Sequence, residues 1–371
     1  MKNAGIFILL LVMLACKQKT YYNKEAKNPV YRINTVFDSF EDLTQPKFDS
    51  LRVKYKTDTI FHGEQDELKR ILLLRSWIRS VMPINDFSDT YPGDGYAEGI
   101  LDGALKGHGY HCGHFMVVQN AVMNAYGYIA RCLGSGPGVK GVADGHHGFN
   151  EIWLNSYHKW FLSDAKYDHH FEKNGIPLSA LEVRDEYLKN KAADIVMVKG
   201  AGRTPIAFDG VADKKGGMIK ISSEEFAQWF TWLEWEKAND RFTVWPDFRS
   251  KLIMYQDEYF KNHTWIWDGK PHWAYNTDHL QYENSREAIE WTPNTIQSKI
   301  IMEPGTVRIV LRSNTPNLKE YQMKDIPDGQ WRKCDSSITV PLKENNYEFV
   351  FRAVNMANVS GPENKVIIAL K

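Results

Sequence analysis

The sequence lacks an excess of either charge and is poor in cysteine. It holds 46 basic and 46 acidic residues among 371, so its formal net charge is zero, and only four residues are cysteine. A protein that binds nucleic acid usually presents a basic surface, so this balance argues against a nucleic-acid partner. No internal repeat, P-loop, Rossmann fingerprint or coiled-coil pattern occurs, so none of these architectures is indicated.

Long hydrophobic runs are also missing. The apolar run from Ile6 to Ala15 has ten residues, which is too short to span a bilayer as a helix. It follows the basic Lys2 and ends in Met13-Leu14-Ala15-Cys16, which resembles a bacterial lipobox. We therefore expect residues 1–16 to be a lipoprotein signal peptide with Cys16 as the lipidation site; the alternative is an ordinary signal peptide cut near Ala15.

Both interpretations predict an exported protein. Lys17 follows the cysteine where some bacterial lipoproteins carry the Asp that retains them at the inner membrane. We therefore expect a lipid anchor to hold the protein at the outer membrane. Whether it lies on the periplasmic or the cell-surface face is left open.

Three cysteines remain after Cys16, and an odd number in an exported protein suggests that one is kept free for chemistry. Cys132 lies in an apolar, strand-like stretch and Cys334 in a β-rich segment, which is typical of structural thiols. Cys112 differs because it opens a predicted helix, where free N–H groups and the helix dipole stabilise a thiolate. His147 follows 35 residues later at the start of a predicted strand, and Asp164 ends the next strand.

These residue types suit thiol acyl-transfer chemistry. Cys112 would be the nucleophile, His147 its base and acid, and Asp164 the group that orients the imidazole. Backbone N–H groups near the thiol, with Tyr110 or His111, are candidate oxyanion donors or substrate contacts.

The segments that carry these residues resemble the core of the transglutaminase-like superfamily of papain-type thiol enzymes. The matching stretches are Tyr110-His111-Cys112, Ala125–Arg131, His147–Ile152 and Trp160–Asp164, and the resemblance covers about residues 65 to 175. It implies a Cys112-His147-Asp164 triad and a helix that carries the cysteine and packs on an antiparallel sheet. The superfamily includes cross-linking enzymes, proteases, peptide:N-glycanases and inactive members. The resemblance therefore indicates the class of mechanism better than it indicates the substrate.

This chain departs from the superfamily pattern at four positions. Tyr110 occupies a position where the superfamily usually has Gly, Phe149 one where it usually has Trp, and Ala165 one where it usually has Pro. The histidine is doubled, and we choose His147 because Glu151 then falls at the expected offset. His146 would point to the other face of the strand and is kept as a candidate substrate contact.

The pattern of the whole chain predicts an α+β fold. We expect a tether and N-terminal extension over 17–60, a catalytic core over 61–180, a helical, Trp-rich extension over 181–294 and a β-sandwich similar to a fibronectin type III module over 295–371. Residues 17 to about 45 should have little structure of their own. A helix is expected from the Ser222 cap through Trp235.

The Trp-rich extension could fill the core or contact a glycan. The best glycan candidates are Trp265, Trp267 and Trp273, which flank a loop-like Asp-Gly-Lys-Pro segment. The sequence thus predicts an exported, lipid-anchored thiol enzyme that hydrolyses or transfers at an amide bond of a peptide or glycopeptide. Alternatives are a glycan-processing enzyme, including a polysaccharide lyase, and a glycan-binding lipoprotein with a vestigial triad. No cofactor and no metal are predicted.

Overall fold

A computed structural model describes most of the chain after the first twenty residues. The described residues are 21–25, 28–88, 90–93, 96–136, 142–144, 146–206, 211–212, 218–219, 222–242, 251–261, 264–267, 270–271, 279–325 and 329–370. The predicted signal segment, its Cys16 and Trp273 lie outside them.

The described residues form helices and strands in several sheets, in agreement with the α+β prediction. The α-helices are α1 Lys47–Tyr55, α2 Glu67–Val81, α3 Ala97–Leu105, α4 Cys112–Ala125, α5 Ala180–Asn190, α6 Ser223–Ala227 and α7 Arg286–Ile289. The strands are β1 Tyr21–Glu25, β2 Ser39–Phe40, β3 Ala130–Gly136, β4 Val142–Asp144, β5 His147–Leu154, β6 Lys159–Ser163, β7 His169–Lys173, β8 Ile176–Pro177, β9 Val196–Lys199, β10 Thr204–Pro205, β11 Val211–Ala212, β12 Met218–Ile219, β13 Trp232–Glu236, β14 Ala238–Asn239, β15 Leu252–Tyr255, β16 Thr264–Trp267, β17 Lys270–Pro271, β18 Leu280–Glu283, β19 Gln297–Glu303, β20 Thr306–Arg312, β21 Leu318–Asp325, β22 Arg332–Cys334, β23 Ser337–Pro341, β24 Asn346–Asn355 and β25 Asn364–Leu370.

A central sheet with the order β18-β15-β13-β3-β5-β6 carries the core. Its neighbouring strands are antiparallel except for the β15–β18 pair. On one face, α4 packs between the sheet and the helices α1 to α3, so every residue of α4 from His114 to Ala125 is buried. A second hydrophobic cluster, which includes Phe149, Trp160 and Trp235, covers the opposite face. The thiol-bearing helix α4 is therefore held in place by the central sheet on one side and by helices α1 to α3 on the other.

The C-terminal segment forms two sheets that share one hydrophobic core. One sheet has the order β1-β25-β24-β21-β22 and the other β19-β20-β23. Apolar side chains of β20, β24 and β25 meet between them. β1 pairs antiparallel with β25, so residues 21–25 depart from the expected unstructured tether. An edge strand leaves a row of backbone groups unpaired, and the N-terminal segment satisfies them here.

The Trp-rich extension differs from its prediction. We expected a helix from the Ser222 cap through Trp235; the cap is present, because the Ser222 hydroxyl accepts from the Glu225 amide at 3.1 Å. The helix nevertheless ends at Ala227, and Trp232 to Glu236 is the strand β13 at the centre of the sheet. Apolar residues at three-residue spacing are ambiguous in a short run, and pairing with β3 and β15 decided the outcome.

No helix within the described residues is long and apolar enough to cross a membrane.

Candidate active site

The start of α4 is set by a short pairing with the segment after α2. The Tyr110 amide donates to the Pro83 carbonyl at 2.9 Å, and the Asn85 amide donates to the Tyr110 carbonyl at 3.1 Å. Gly109 is required here, because a methyl group on it would lie 2.6 Å from Cβ of Asn85. These contacts bring the chain into α4 at a defined point and place Cys112 in its first turn.

His111 caps the helix. Its backbone is extended, and its Nδ1 atom accepts from the Gly113 amide at 3.1 Å. This satisfies one of the free N–H groups of the first turn. In a neutral ring that accepts at Nδ1, the proton sits on Nε2.

The Cys112 thiol is half-buried and has two histidine partners. Its sulfur shares hydrogen bonds with the side chains of His111 and His147. Burial alone would raise the pKa of Cys112, but these bonds and the nearby charges of His147 and Lys166 hold that pKa well below its usual range. A thiolate is therefore the form that the site favours at neutral pH.

His147 lies between the thiol and Asp164. Its Nε2 atom is 2.6 Å from Oδ2 of Asp164, and its ring stacks on that of Tyr167 with centroids 5.5 Å apart. Because Nε2 faces the carboxylate, Nδ1 is the ring nitrogen left for the thiol. Burial opposes the charged imidazole, yet Asp164 and the Cys112 thiolate raise the pKa of His147 to about 9.

Asp164 is held by the turn that follows β6. Its Oδ1 atom accepts from the backbone amides of Lys166 at 2.9 Å and Tyr167 at 3.2 Å. Burial would raise the pKa of Asp164, but the charge of His147 and these hydrogen bonds lower it below its usual range. The carboxylate is therefore ionised and fixed in orientation, as the orienting member of a triad requires.

Lys166 and Asp86 form a buried ion pair beside the thiol. The Lys166 ammonium is 2.7 Å and 2.9 Å from the two Asp86 carboxylate oxygens, and the charge of Cys112 helps to raise its pKa. This pair ties the loop after α2 to the turn after β6. The same loop places Tyr91 against His111, with ring centroids 4.8 Å apart. Sequence reasoning did not predict the Asp86–Lys166 pair, because its two residues are 80 positions apart in the chain.

Tyr110 and His146, the other two residues predicted as oxyanion donors or substrate contacts, lie in different surroundings. The Tyr110 hydroxyl donates to the Pro92 carbonyl at 2.7 Å and lies against Gly103 of α3, so its phenol is occupied in supporting the loop rather than offered as an oxyanion donor. His146 directs its Nε2 atom over Gly134 of β3. Burial lowers the pKa of His146 to about 4, so the ring is neutral, although the charge of Cys112 opposes that shift.

Arg131 of β3 is buried on the face of the central sheet opposite α4, against Trp160 and Trp235. The Nε atom of its guanidinium donates to Oε2 of Glu151 at a distance of 2.9 Å. The same Oε2 atom also accepts a hydrogen bond from the Trp235 indole. The side chain is fully shielded from solvent, so it serves the core and cannot meet a polysaccharide.

The tryptophan candidates for glycan contact are placed only in part. Trp265 and Trp267 belong to β16, whose backbone pairs in parallel with β4, so that Trp265 is opposite Ala143 and Ile266 opposite Asp144. β4 leads directly to His146 and His147. Trp273 lies outside the described residues. The backbone of the Trp265 segment is therefore next to the strand that enters the candidate site.

Across the described ranges, no group of three or more His, Cys, Asp or Glu side chains is arranged to hold a metal ion. The other two free thiols are unlike Cys112. Burial raises the pKa of Cys132 well above its usual value and that of Cys334 to about 11.

Comparisons with known proteins show a distant likeness. No protein-family profile and no curated protein matches the chain. Among solved structures, it is similar to the transglutaminase of red sea bream, at 11% identity and a TM-score of 0.27. The alignment covers 86% of this chain and 56% of the fish enzyme, so the chain spans just over half of that protein's length. The likeness is one of fold alone and is distant; function is therefore inferred from the geometry of the site.

Proposed function

We propose that the protein is a thiol enzyme of transglutaminase-like type that hydrolyses or transfers at an amide bond of a peptide or glycopeptide. The observation that carries this proposal is the meeting of Cys112, His147 and Asp164 at the start of α4, with a thiol whose pKa is lowered despite burial. Structural cysteines in apolar surroundings have raised pKa values, as Cys132 and Cys334 do.

The geometry supports a two-step reaction. The Cys112 thiolate attacks the carbonyl carbon, a C–S bond forms, and the carbonyl electrons collect on oxygen. As the C–N bond breaks, the leaving nitrogen takes a proton from the His147 imidazolium and a thioester remains. Water then gives a proton to His147 and attacks the thioester, which releases the acid and restores the thiolate. An amine in place of water would give transfer.

The backbone amide of Cys112 is the first oxyanion donor to consider. As the first residue of α4 it has no carbonyl four residues earlier within the helix to bond, and among the described residues it donates to none. An N–H group at a helix N-terminus next to the attacking sulfur is well placed to stabilise developing negative charge. We favour hydrolysis over transfer because water is the nucleophile present at the highest concentration.

We propose further that the protein is exported and that its C-terminal sheets form a separate module. The lipobox-like segment with Cys16 supports an exported protein anchored in the outer membrane. We assign the two C-terminal sheets to a fibronectin type III-like sandwich that acts as a spacer or docking surface, because their apolar faces share one core.

A glycan-processing or glycan-binding function is the second candidate. The observation that favours it is the pairing of the Trp265–Trp267 strand with the strand before His146. Loss of glycan binding in Trp265→Ala and Trp267→Ala, with turnover unaffected by Cys112→Ser, would favour this candidate over the thiol enzyme.

The test of the thiol enzyme is alkylation of the full chain by iodoacetamide between pH 4 and pH 9, mapped to each cysteine by mass spectrometry. We expect Cys112 to react at mildly acidic pH, Cys132 and Cys334 to stay unreactive there, and His147→Ala to remove the low-pH reaction. His158→Ala, at an exposed histidine, is the matched control and should change nothing. Alkylation of Cys112 only near the pKa of a free thiol would overturn the proposal.

A further inference from the structure

The two sheets formed by β1 and β19–β25, which we call the C-terminal module, contact the rest of the protein at one end. β24 runs along the module from Asn346 to Asn355, and its ten residues make it about 30 Å long at the usual rise of a strand. At the Asn355 end, the Asn355 amide group donates to the Gly127 carbonyl at 2.8 Å, and that of Asn317 donates to the Glu41 carbonyl at 2.7 Å. The core that carries the thiol is therefore attached at the Asn355 end.

The N-terminal strand enters the module at the opposite end. β1 pairs with β25 so that Tyr21 is opposite Leu370, and β24 pairs with β25 so that Asn346 is opposite Ala369. Tyr21 thus lies at the Asn346 end, about the length of β24 away from the contacts with the core. The exposed residues 343–346, in the connection from β23 to β24, lie at this end as well. We call it the Tyr21 end of the module.

The expected lipidation site is close to this end along the chain. Cys16 precedes Tyr21 by five residues. Five residues span at most about 18 Å, even when the chain is fully extended. A lipid on Cys16 would therefore keep the Tyr21 end near the lipid headgroups, while the core is attached at the other end of the module.

The thiol site lies on the side of the core that is remote from the module. α4 begins at Cys112 and ends two residues before Gly127, which contacts the module. β5 begins at His147 and is followed directly by Asn155, which accepts from Asn294, just before β19, at 3.1 Å. α4 is about 20 Å long and β5 about 23 Å. Each element thus approaches the module with one end and carries its candidate catalytic residue at the other.

We propose that the C-terminal module stands on the membrane with its Tyr21 end against the lipid headgroups and holds the thiol site more than about 30 Å from the bilayer surface, facing away from it. This inference rests on the proposed function, through the lipid anchor on Cys16, and adds the substrate class. The substrate is a peptide or glycopeptide that lies outside the membrane. An amide bond within about nine residues of a membrane-embedded segment cannot reach the thiol, because an extended chain spans only about 3.3 Å per residue.

The test compares soluble iodoacetamide with iodoacetamide joined by a short linker to a phospholipid headgroup, on the full lipidated chain in vesicles that contain this lipid. The quantity measured is the ratio of the two rate constants at one cysteine, which removes differences in thiol reactivity. Asn345→Cys places a probe at the Tyr21 end, and Lys319→Cys is the matched probe at the core end of β21; both residues are exposed.

We expect the headgroup-linked reagent to label Asn345→Cys and to fail at Lys319→Cys and at Cys112. A linker that cannot span two sites gives an effective concentration near zero. A ratio at Cys112 equal to that at Asn345→Cys would overturn the proposal. Equal ratios at Lys319→Cys and Asn345→Cys would also overturn it, because the module would then lie flat on the membrane.

A second measurement needs no variant and covers the case in which a substituted chain does not fold. Spacers of increasing length are placed between the headgroup and the iodoacetamide, and labelling of wild-type Cys112 is followed. We expect labelling to begin only when the extended spacer exceeds about 30 Å, the length of the module. Labelling by the reagent with the shortest spacer would overturn the proposal.

The hypotheses fail separately in these experiments. A chain without a lipid on Cys16 contradicts the anchor, and this inference with it. A lipidated chain whose Cys112 reacts with the shortest headgroup-linked reagent contradicts only the orientation. A raised pH for alkylation of Cys112 by soluble iodoacetamide contradicts the thiol enzyme and leaves the orientation in place.

Discussion

The Nε2 atom of His147 lies 2.6 Å from Oδ2 of Asp164, and both side chains are buried. The carboxylate occupies one ring nitrogen and leaves the other for the Cys112 thiol, which is bonded to the same imidazole. One contact thus fixes the orientation of the ring, favours its charged form and, through that charge, stabilises the thiolate.

Replacement of Asp164 by Asn should raise the pH at which Cys112 becomes reactive. The amide carries no charge, so the pKa of His147 falls and the thiolate loses its imidazolium partner. We expect the midpoint of iodoacetamide alkylation to rise by about one pH unit or more. Asp102→Asn, in a surface ion pair with Lys54, is the control and should leave the midpoint in place. An unchanged midpoint in Asp164→Asn would show that this contact does not set the pKa of the thiol.

The His147–Asp164 pair should stabilise the fold only within a limited pH window. The pKa of His147 is raised to about 9, so its contribution is complete below the unfolded value near 6.5 and is lost as pH rises through the folded value. The pKa of Asp164 is lowered, so its contribution is present above the unfolded value and is lost as pH falls through the folded one.

The measurement is best made in a Cys112→Ser background, because a thiolate formed in the folded protein would offset the proton bound by His147. There, His147→Gln should cost more at pH 6 than at pH 10, by about 1–2 kcal/mol in the free energy of unfolding in urea. A cost that does not vary with pH would contradict a charged pair.

Replacement of Glu151 by Gln should destabilise the protein strongly. Arg131 is fully buried, and Glu151 is its carboxylate partner and also accepts from Trp235. Removal of that charge leaves a buried guanidinium uncompensated, which costs about 3–5 kcal/mol. Glu303→Gln, in an exposed pair with Arg308, should cost less than about 1 kcal/mol in the same urea unfolding experiment. Similar costs for the two variants would contradict this account.

Gly127 joins the thiol-bearing core to the C-terminal sheets. Its φ is +75°, a methyl group on it would lie 2.5 Å from Cβ of Ala357, and its carbonyl accepts from Asn355 at 2.8 Å. Gly127→Ala should therefore cost about 2–3 kcal/mol, from backbone strain and overpacking together. Gly305→Ala has a similar φ of +74° and open space around it, so it measures the backbone strain alone, about 1 kcal/mol. Equal losses of thermal stability would show that the Ala357 contact contributes nothing.

Much of the local structure could be predicted from the sequence. The helix predicted to open at Cys112 is α4, and the strand predicted to begin at His147 is β5. The next strand, β6, ends one residue before Asp164. These signals are local, because side-chain periodicity and turn residues act over a few positions. The segment around Trp232 was predicted wrongly, since its spacing suits a helix and its burial in the central sheet depends on strands far away in the chain.

The sequence by itself determined which chemical groups were available: a thiol at a helix start, a histidine at a strand start and an aspartate at a strand end. The tertiary structure alone decided which other groups join them. Asp86 reaches Lys166 across 80 residues, and Glu234 comes to lie over Gly134 because β13 pairs with β3 in one register. Such contacts depend on the pairing and packing of distant segments. A shift of one residue in the pairing of β13 with β3 would turn Glu234 to the opposite face of the sheet.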